Sequence, residues 1–380
     1  MTQLRIPAVY MRGGTSKGVF FLAADLPADP HERDRLLLRV IGSPDPYGKH
    51  IDGMGGATSS TSKVAILAKS TRSDCDVDYL FGAVAVDKPV IDWSGNCGNL
   101  TAAVGPFAIH AGLVAAPPGG HATVRIWQAN VGKRIIAHVP MHYGEVQEEG
   151  DFQLDGVTFP GAEIKLEFLD PGDGAALFPS GARLDRLDVP GVGVFEATLI
   201  NAGNPTIFID ARSLGLRGTE LQDEVNGDAG LLARAEAIRA HGAVAMGLAA
   251  SPAEASAKRP ATPKLACLAA PRTYTAAGGK VIEANTIDLL VRIFSMGQLH
   301  HAMTGTGAVA LAAAAAIPGT LPQRLVPAKA AGQICYGHPS GTQSVGATAH
   351  EQDGQWIVTQ ATMSRSARRL MDGWVRIPSR

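Results

Sequence analysis

Asp92-Trp93-Ser94-Gly95-Asn96-Cys97-Gly98-Asn99-Leu100-Thr101-Ala102-Ala103-Val104-Gly105 is the stretch on which the fold turns. The β-type run Lys88 to Trp93 leads into it. The almost uncharged run Leu100 to Val114 leads out of it, with the length of a helix of about four turns. Strand, small-residue turn and buried helix together make a helix N-terminus, whose free N–H groups and positive dipole end face whatever lies at the turn. The stretch therefore predicts an anion site with a thiol in it.

A second stretch has the same design. His301-Ala302-Met303-Thr304-Gly305-Thr306-Gly307-Ala308-Val309-Ala310-Leu311 follows the apolar run Ile287 to Met296 and opens an Ala-rich helix that Pro318-Gly319 stops. The two turns lie roughly half a chain apart, which reads as an internal duplication. Two pseudo-equivalent domains, residues 1–187 and 188–380, would aim two helix N-termini at one shared cleft. The terminal strand, Gly373 to Pro378, could return to pair with the first.

The totals agree with this reading. A chain of 380 residues suits two domains, each with its own core. Hydrophobic residues make up 46%, charged residues 18%, and there are 44 glycines, which points to a strand-rich, turn-rich globular protein and away from disorder. A net charge of −1 argues against nucleic-acid or membrane-surface binding by bulk charge and leaves a local basic pocket open. Cys75, Cys97, Cys267 and Cys335 have no paired spacing and suggest neither zinc nor a disulfide framework. No run is long enough to span a bilayer and the N-terminus lacks the apolar core of a signal peptide, so a cytoplasmic location is expected.

Along the chain, strands are expected at Arg5 to Met11, Gly18 to Leu22, Val77 to Val84, Ala122 to Trp127, Arg134 to Val139 and Ala162 to Leu169. In the second half they are expected at Gly193 to Leu199, Thr206 to Ile209, Pro263 to Ala269, Thr286 to Phe294, Thr342 to His350 and Gln355 to Met363. Helical spacing marks His31 to Ile41 and Ala229 to Gly247. Pro171 to Leu187 reads as a linker.

Cys97 has a bland reading, a small buried hydrophobe. Its neighbours Gly95, Asn96, Gly98 and Asn99 favour a functional one, because small polar residues leave a thiol open to ligand and a helix N-terminus favours the thiolate. Lys63 ends the polar run Thr58-Ser59-Ser60-Thr61-Ser62 and begins the apolar run Val64 to Ala68, where an amine can be partly desolvated. The loop Arg12-Gly13-Gly14-Thr15-Ser16-Lys17 lacks the spacing of a nucleotide-binding loop. It suits a carboxylate clamp of lysine, hydroxyl and N–H donors, or else a solvated hairpin turn. Gly337-His338-Pro339-Ser340-Gly341 is either a tight turn or a wall of the cleft. His300-His301 lacks a third ligand for a metal. For the arginines of Ser364-Arg365-Ser366-Ala367-Arg368-Arg369 a solvated face is the default, and Asn204-Pro205 is a weak candidate.

Met11 to Gly18, Asp52 to Lys63, Trp93 to Leu100, His300 to Met303, Gly337 to Gly341 and Met363 to Arg368 together resemble the PrpF-type family, over essentially the whole chain. The resemblance implies an α+β fold like that of diaminopimelate epimerase: two like domains, each a curved sheet around a central helix, with the active site in the cleft between them. It implies a cofactor-independent isomerase with a lysine and a cysteine as its catalytic pair, falling on Lys63 and Cys97. It also implies a small unsaturated tricarboxylate as substrate, with no flavin, nicotinamide or metal. Epimerases of this fold carry a second cysteine where this chain has Thr304, a departure that favours an isomerase over a symmetric two-thiol racemase. Arg12, Thr15, Ser16, Lys17, Ser62, Asn96, Gly98, Asn99, Thr304, Gly305, Thr306, His338 and Ser340 are the expected substrate-binding residues. The reaction implied is cis–trans isomerisation of a methylaconitate by allylic proton transfer. Oxalomesaconate tautomerisation and non-catalytic tricarboxylate binding are the alternatives, and a homo-oligomer is left open.

Overall fold

The computed structural model describes residues 3–172, 177–326 and 332–378. The chain forms two compact units, Met1–Leu166 with Ser364–Arg380, and Glu167–Met363. Part of the expected linker, residues 173–176, lies outside the described residues.

In the first unit β1 (Leu4–Gly13) turns back antiparallel into β2 (Ser16–Leu22), with Gly13 opposite Ser16. Pro30 at the first turn and an Asp29 cap start α1 (Pro30–Ile41), and Gly42, at φ 87°, ends it. β3 (Lys63–Lys69) then lies parallel to β2, and β4 (Val77–Val84) runs antiparallel to β3 with Lys63 opposite Ala83. The expected strand from Lys88 to Trp93 shrinks to β5 (Ile91–Asp92), paired with Val84 and Ala83. α2 (Thr101–His110) follows. It stops short of the expected Val114 because the turn after it needs Gly112 at φ 71°. The Gly120–Gln128 and Lys133–His142 hairpin completes the run, the former strand parallel to β4.

Side chains alternate across a strand, and here each face has its own helix. Val19, Phe21, Val64 and Ile66 pack with Leu36, Leu37, Val40 and Ile41 of α1. Phe20, from the other face of β2, meets Phe107 of α2 at 5.5 Å between ring centroids. α2 is buried from Thr101 to Ala108, the state that a helix without a polar face requires. The expected pairing of the tail is present and longer than expected. Ala367–Ile377 runs antiparallel to the whole of β1, from Gly13 opposite Ala367 to Leu4 opposite Ile377, with a bulge at Tyr10/Met11.

The second unit repeats this sequence of pairings. Gly193–Ala202 is antiparallel to Asn204–Asp210, which is parallel to Lys264–Ala269, which is antiparallel to Leu289–Ser295. That strand is parallel to Gln333–His338, itself antiparallel to Gly341–Gln352. Ala229–Ala245 takes the place of α1, with Leu231, Ala235 and Ile238 packed against Ile207, Ile209, Leu265 and Cys267. The buried helix Gly305–Ala315 takes the place of α2. The duplication read from the two turns is thus a repeat of topology. Among the described residues no helix is long and apolar enough to cross a membrane.

Candidate active site

The face of β2 that meets α2 carries Ser16, Gly18 and Phe20, two residues apart. Ser16, 3% exposed, places its Oγ 4.0 Å from Cys97 Sγ. Gly18 lies against the root of Lys63. A Cβ there would fall 2.7 Å from Lys63 O, 3.1 Å from Lys63 Cβ and 3.1 Å from Leu100 Cδ1. One face of one short strand therefore touches the thiol at one residue and the amine-bearing residue at the next.

Each partner is held by its own element. The turn before α2 folds back on Cys97: Leu100 N–H donates to Cys97 Sγ at 3.4 Å, and Thr101 donates from N–H and hydroxyl to Cys97 O. Asn96 accepts from Thr101 Oγ1 at 3.4 Å, and Gly98 and Asn99 are buried in the same turn. Lys63 heads β3, 7% exposed, with its Nζ 5.0 Å from the Phe81 ring centroid. Among the described residues its ammonium makes no hydrogen bond or ion pair. Ser62, just before it, bonds His50 Nδ1 at 3.2 Å. Tyr79, fully buried on β4, is an electrostatic neighbour of the thiol that the sequence did not reveal. Burial, reinforced by the Cys97 sulfur, holds its phenol well above the ordinary range, so it stays protonated.

The Arg12 to Lys17 loop is a hairpin turn pressed onto the thiol turn. Arg12 Nη1 donates to the carbonyls of Gly14 and Ser366 at 3.1 and 2.9 Å, so this arginine ties the loop down. Burial, and then Arg368, lowers its pKa. Thr15 Oγ1 accepts from Asn99 Nδ2 at 3.0 Å, and Lys17 Nζ lies 5.4 Å from the Tyr10 ring centroid. Arg365 corrects the expectation of a solvated face. It is 1% exposed and donates from Nε to Asn99 Oδ1 at 2.9 Å. Arg368 and Arg369 are exposed, as that expectation has it.

In the second unit Thr304 caps the Gly305–Ala315 helix, accepting from Gly307 N–H at 3.2 Å, with Gly305 and Thr306 buried behind it. His338 and Gly341 frame a two-residue hairpin turn, Pro339-Ser340, in which Ser340 N–H donates to His338 Nδ1. Ser340 Oγ donates to His301 O at 2.5 Å, which ties that turn to the segment leading into the helix. The imidazoles of His300 and His301 stack at 4.7 Å. Where the first unit has Lys63 heading a parallel strand, the second has Lys264, 6% exposed and donating to Ser295 Oγ at 2.8 Å. Thr304 stands at the head of the second buried helix as Cys97 does before the first, and the match of Lys264 to Lys63 is visible only once the strand pairings are known. Burial pushes the Cys267 thiol far up, and burial with Asp74 raises Cys75. Among the described residues no group of three or more His, Cys, Asp or Glu is placed to hold a metal ion.

Comparison with known proteins points the same way. The family model described as PrpF protein matches residues 3–378. The 2-methyl-aconitate isomerase of Cupriavidus necator is 60% identical over 388 residues, covering 99% of this chain and 98% of that one. The crystal structure of methylitaconate-delta-isomerase is similar at TM-score 0.76 and 38% identity, covering 99% of this chain and 96% of that one. A probable proline racemase from Agrobacterium radiobacter K84 shares the fold at TM-score 0.56 and 12% identity, covering 99% and 93%.

Proposed function

The chain belongs to the PrpF family, and from that premise we propose that it interconverts cis and trans 2-methylaconitate, with Lys63 and Cys97 as its acid–base pair. The observation that carries the proposal is the shared face of β2, where Ser16 meets the thiol and Gly18 meets Lys63. The 60% identity to a 2-methyl-aconitate isomerase along the full chain supports the choice of substrate.

Lys63 takes a proton from the allylic carbon. The C–H electron pair spreads through the neighbouring double bond onto a carboxylate, giving a dienolate. In that species the former C=C has single-bond character and turns. Return of the proton, with Cys97 as the assisting acid, restores the double bond in the other geometry. No electrons are gained or lost, so no redox cofactor is called for. Ser16, Lys17 and the turn residues Gly98 and Asn99 offer donors for carboxylate and dienolate oxygens. Aimed donors of this kind are worth about 3 kcal/mol each, comparable to the hundredfold or more from a general base, so both parts of the machinery matter.

The test is an ultraviolet assay with cis and trans 2-methylaconitate, 4-oxalomesaconate and 3-methylitaconate. Turnover of 2-methylaconitate is expected to exceed the others. Lys63→Ala and Cys97→Ser should each lower kcat by about 10²–10⁴-fold. Preference for another acid would reassign the substrate, and full activity in Lys63→Ala would remove the base.

A further inference from the structure

We propose that Arg365 is a positioning residue for the Cys97 step, acting through Asn99. The proposal deepens the function proposed above and rests on it. Arg365 is the last residue of the strand Gln355–Arg365, which carries the chain back into the first unit. Its Nε donates to Asn99 Oδ1 at 2.9 Å and its Nη1 to Ser364 O at 2.9 Å. Asn99 passes the constraint on, donating from Nδ2 to Thr15 Oγ1 at 3.0 Å. The next residue, Ser16, is the one against Cys97 Sγ. Three side chains thus join a residue near the end of the chain to the hairpin that covers the thiol.

The fit is close on every side. Gly14, at φ 52°, fills the crook of the network, and a Cβ there would fall 2.7 Å from Asn99 Oδ1 and 3.0 Å from Arg365 Cδ. Gly13 presses on Asn99 O in the same way, and Gly14 N–H donates to Ser366 O at 2.9 Å. A guanidinium suits this place because its planar donors have fixed directions and hold the Asn99 amide in one orientation. Its charge polarises that amide and strengthens the Nδ2–H bond to Thr15. For stability alone, apolar side chains of similar volume commonly do as well as a buried charge, so the arginine is read here by the geometry it imposes.

The experiment compares Arg365→Gln, Thr15→Val and their double variant with the wild type. In each single variant kcat should fall about 100-fold, the cost of about 1 Å of misplacement, with KM changed by less than about threefold. The double variant should be little worse than either single, because both break one chain of contacts. Alkylation by iodoacetamide, which needs no substrate, should speed up about tenfold at Cys97 and stay unchanged at half-buried Cys335. Three results would overturn the proposal: unchanged alkylation of Cys97, a raised KM at constant kcat, or additive losses in the double variant. Where Arg365→Gln does not fold, Thr15→Val leaves the arginine in place and decides. A wild type inactive on 2-methylaconitate would defeat the function proposed above, and the alkylation ratio would still judge Arg365.

Discussion

Gly18 shows how little room the site leaves a single residue. A methyl there meets Lys63 O at 2.7 Å, and neither that backbone nor the Leu100 side chain beyond it can retreat from a close-packed interior. Gly18→Ala should destabilise the first unit by about 1–3 kcal/mol, read from denaturant midpoints. It should also lower kcat by pushing Lys63 off its line. Gly112→Ala, by contrast, meets no atom within 4 Å and suffers only from its φ of 71°, so it should leave kcat unchanged. Lys63 and Cys97 could be singled out as candidates from their neighbours, a polar run before the one and small polar residues about the other, and were paired only through the family resemblance. Arg365 and Tyr79 could not be singled out. Arg365 sits among other arginines in a stretch that reads as surface, and its partner Asn99 is 266 positions away. Tyr79 occupies an ordinary alternating strand position whose inward neighbour is set by tertiary structure.

At the scale of elements, the two buried helices start differently. α2 has no side-chain cap, and Cys97 Sγ takes the N–H of Leu100 instead. The Gly305–Ala315 helix has Thr304 as a conventional cap. Thr304→Ala should cost the second unit about 1 kcal/mol, and Thr304→Ser should recover most of it, measured by thermal unfolding. Strands, turns and the amphipathic helix were legible because period-2 and period-3.6 patterns survive in both halves. Two features escaped. The Lys88 to Trp93 run looks like a full strand, yet only Ile91 and Asp92 find partners on β4. The match of Lys264 to Lys63 requires the order of strand pairing, which no local pattern encodes.

On the scale of the molecule, the ion pair of Asp76, just before β4, with Arg125 on the neighbouring strand contributes to the response to acid. Asp76 accepts from Arg125 Nε, Nη2 and N–H, and Arg125 holds its carboxyl below the usual range against the opposing effect of burial. A folded pKa below the unfolded one gives stability that is complete above about pH 4 and is lost as the pH falls through the lowered folded value. Wild type should therefore be more stable than Asp76→Asn at neutral pH, and denaturation curves taken at successively lower pH should converge. The closing strand matters more. Removing Ala367–Ile377 strips β1 of one neighbour along its length and exposes a new edge. A chain ending at Ser366 should lose the near-ultraviolet signature of a packed first unit and bind hydrophobic dyes.

That closing strand is also the last part of the unit that a ribosome makes. The thiol turn and the lysine emerge early, while Arg365 and its strand arrive only after the whole second unit has been translated. In a nascent polypeptide the first unit therefore lacks this neighbour along one side of β1 until the second unit has been made. Any product of premature termination before Ser364 would carry Lys63, Cys97 and the Arg12 to Lys17 hairpin, and would lack the Arg365 contact to Asn99.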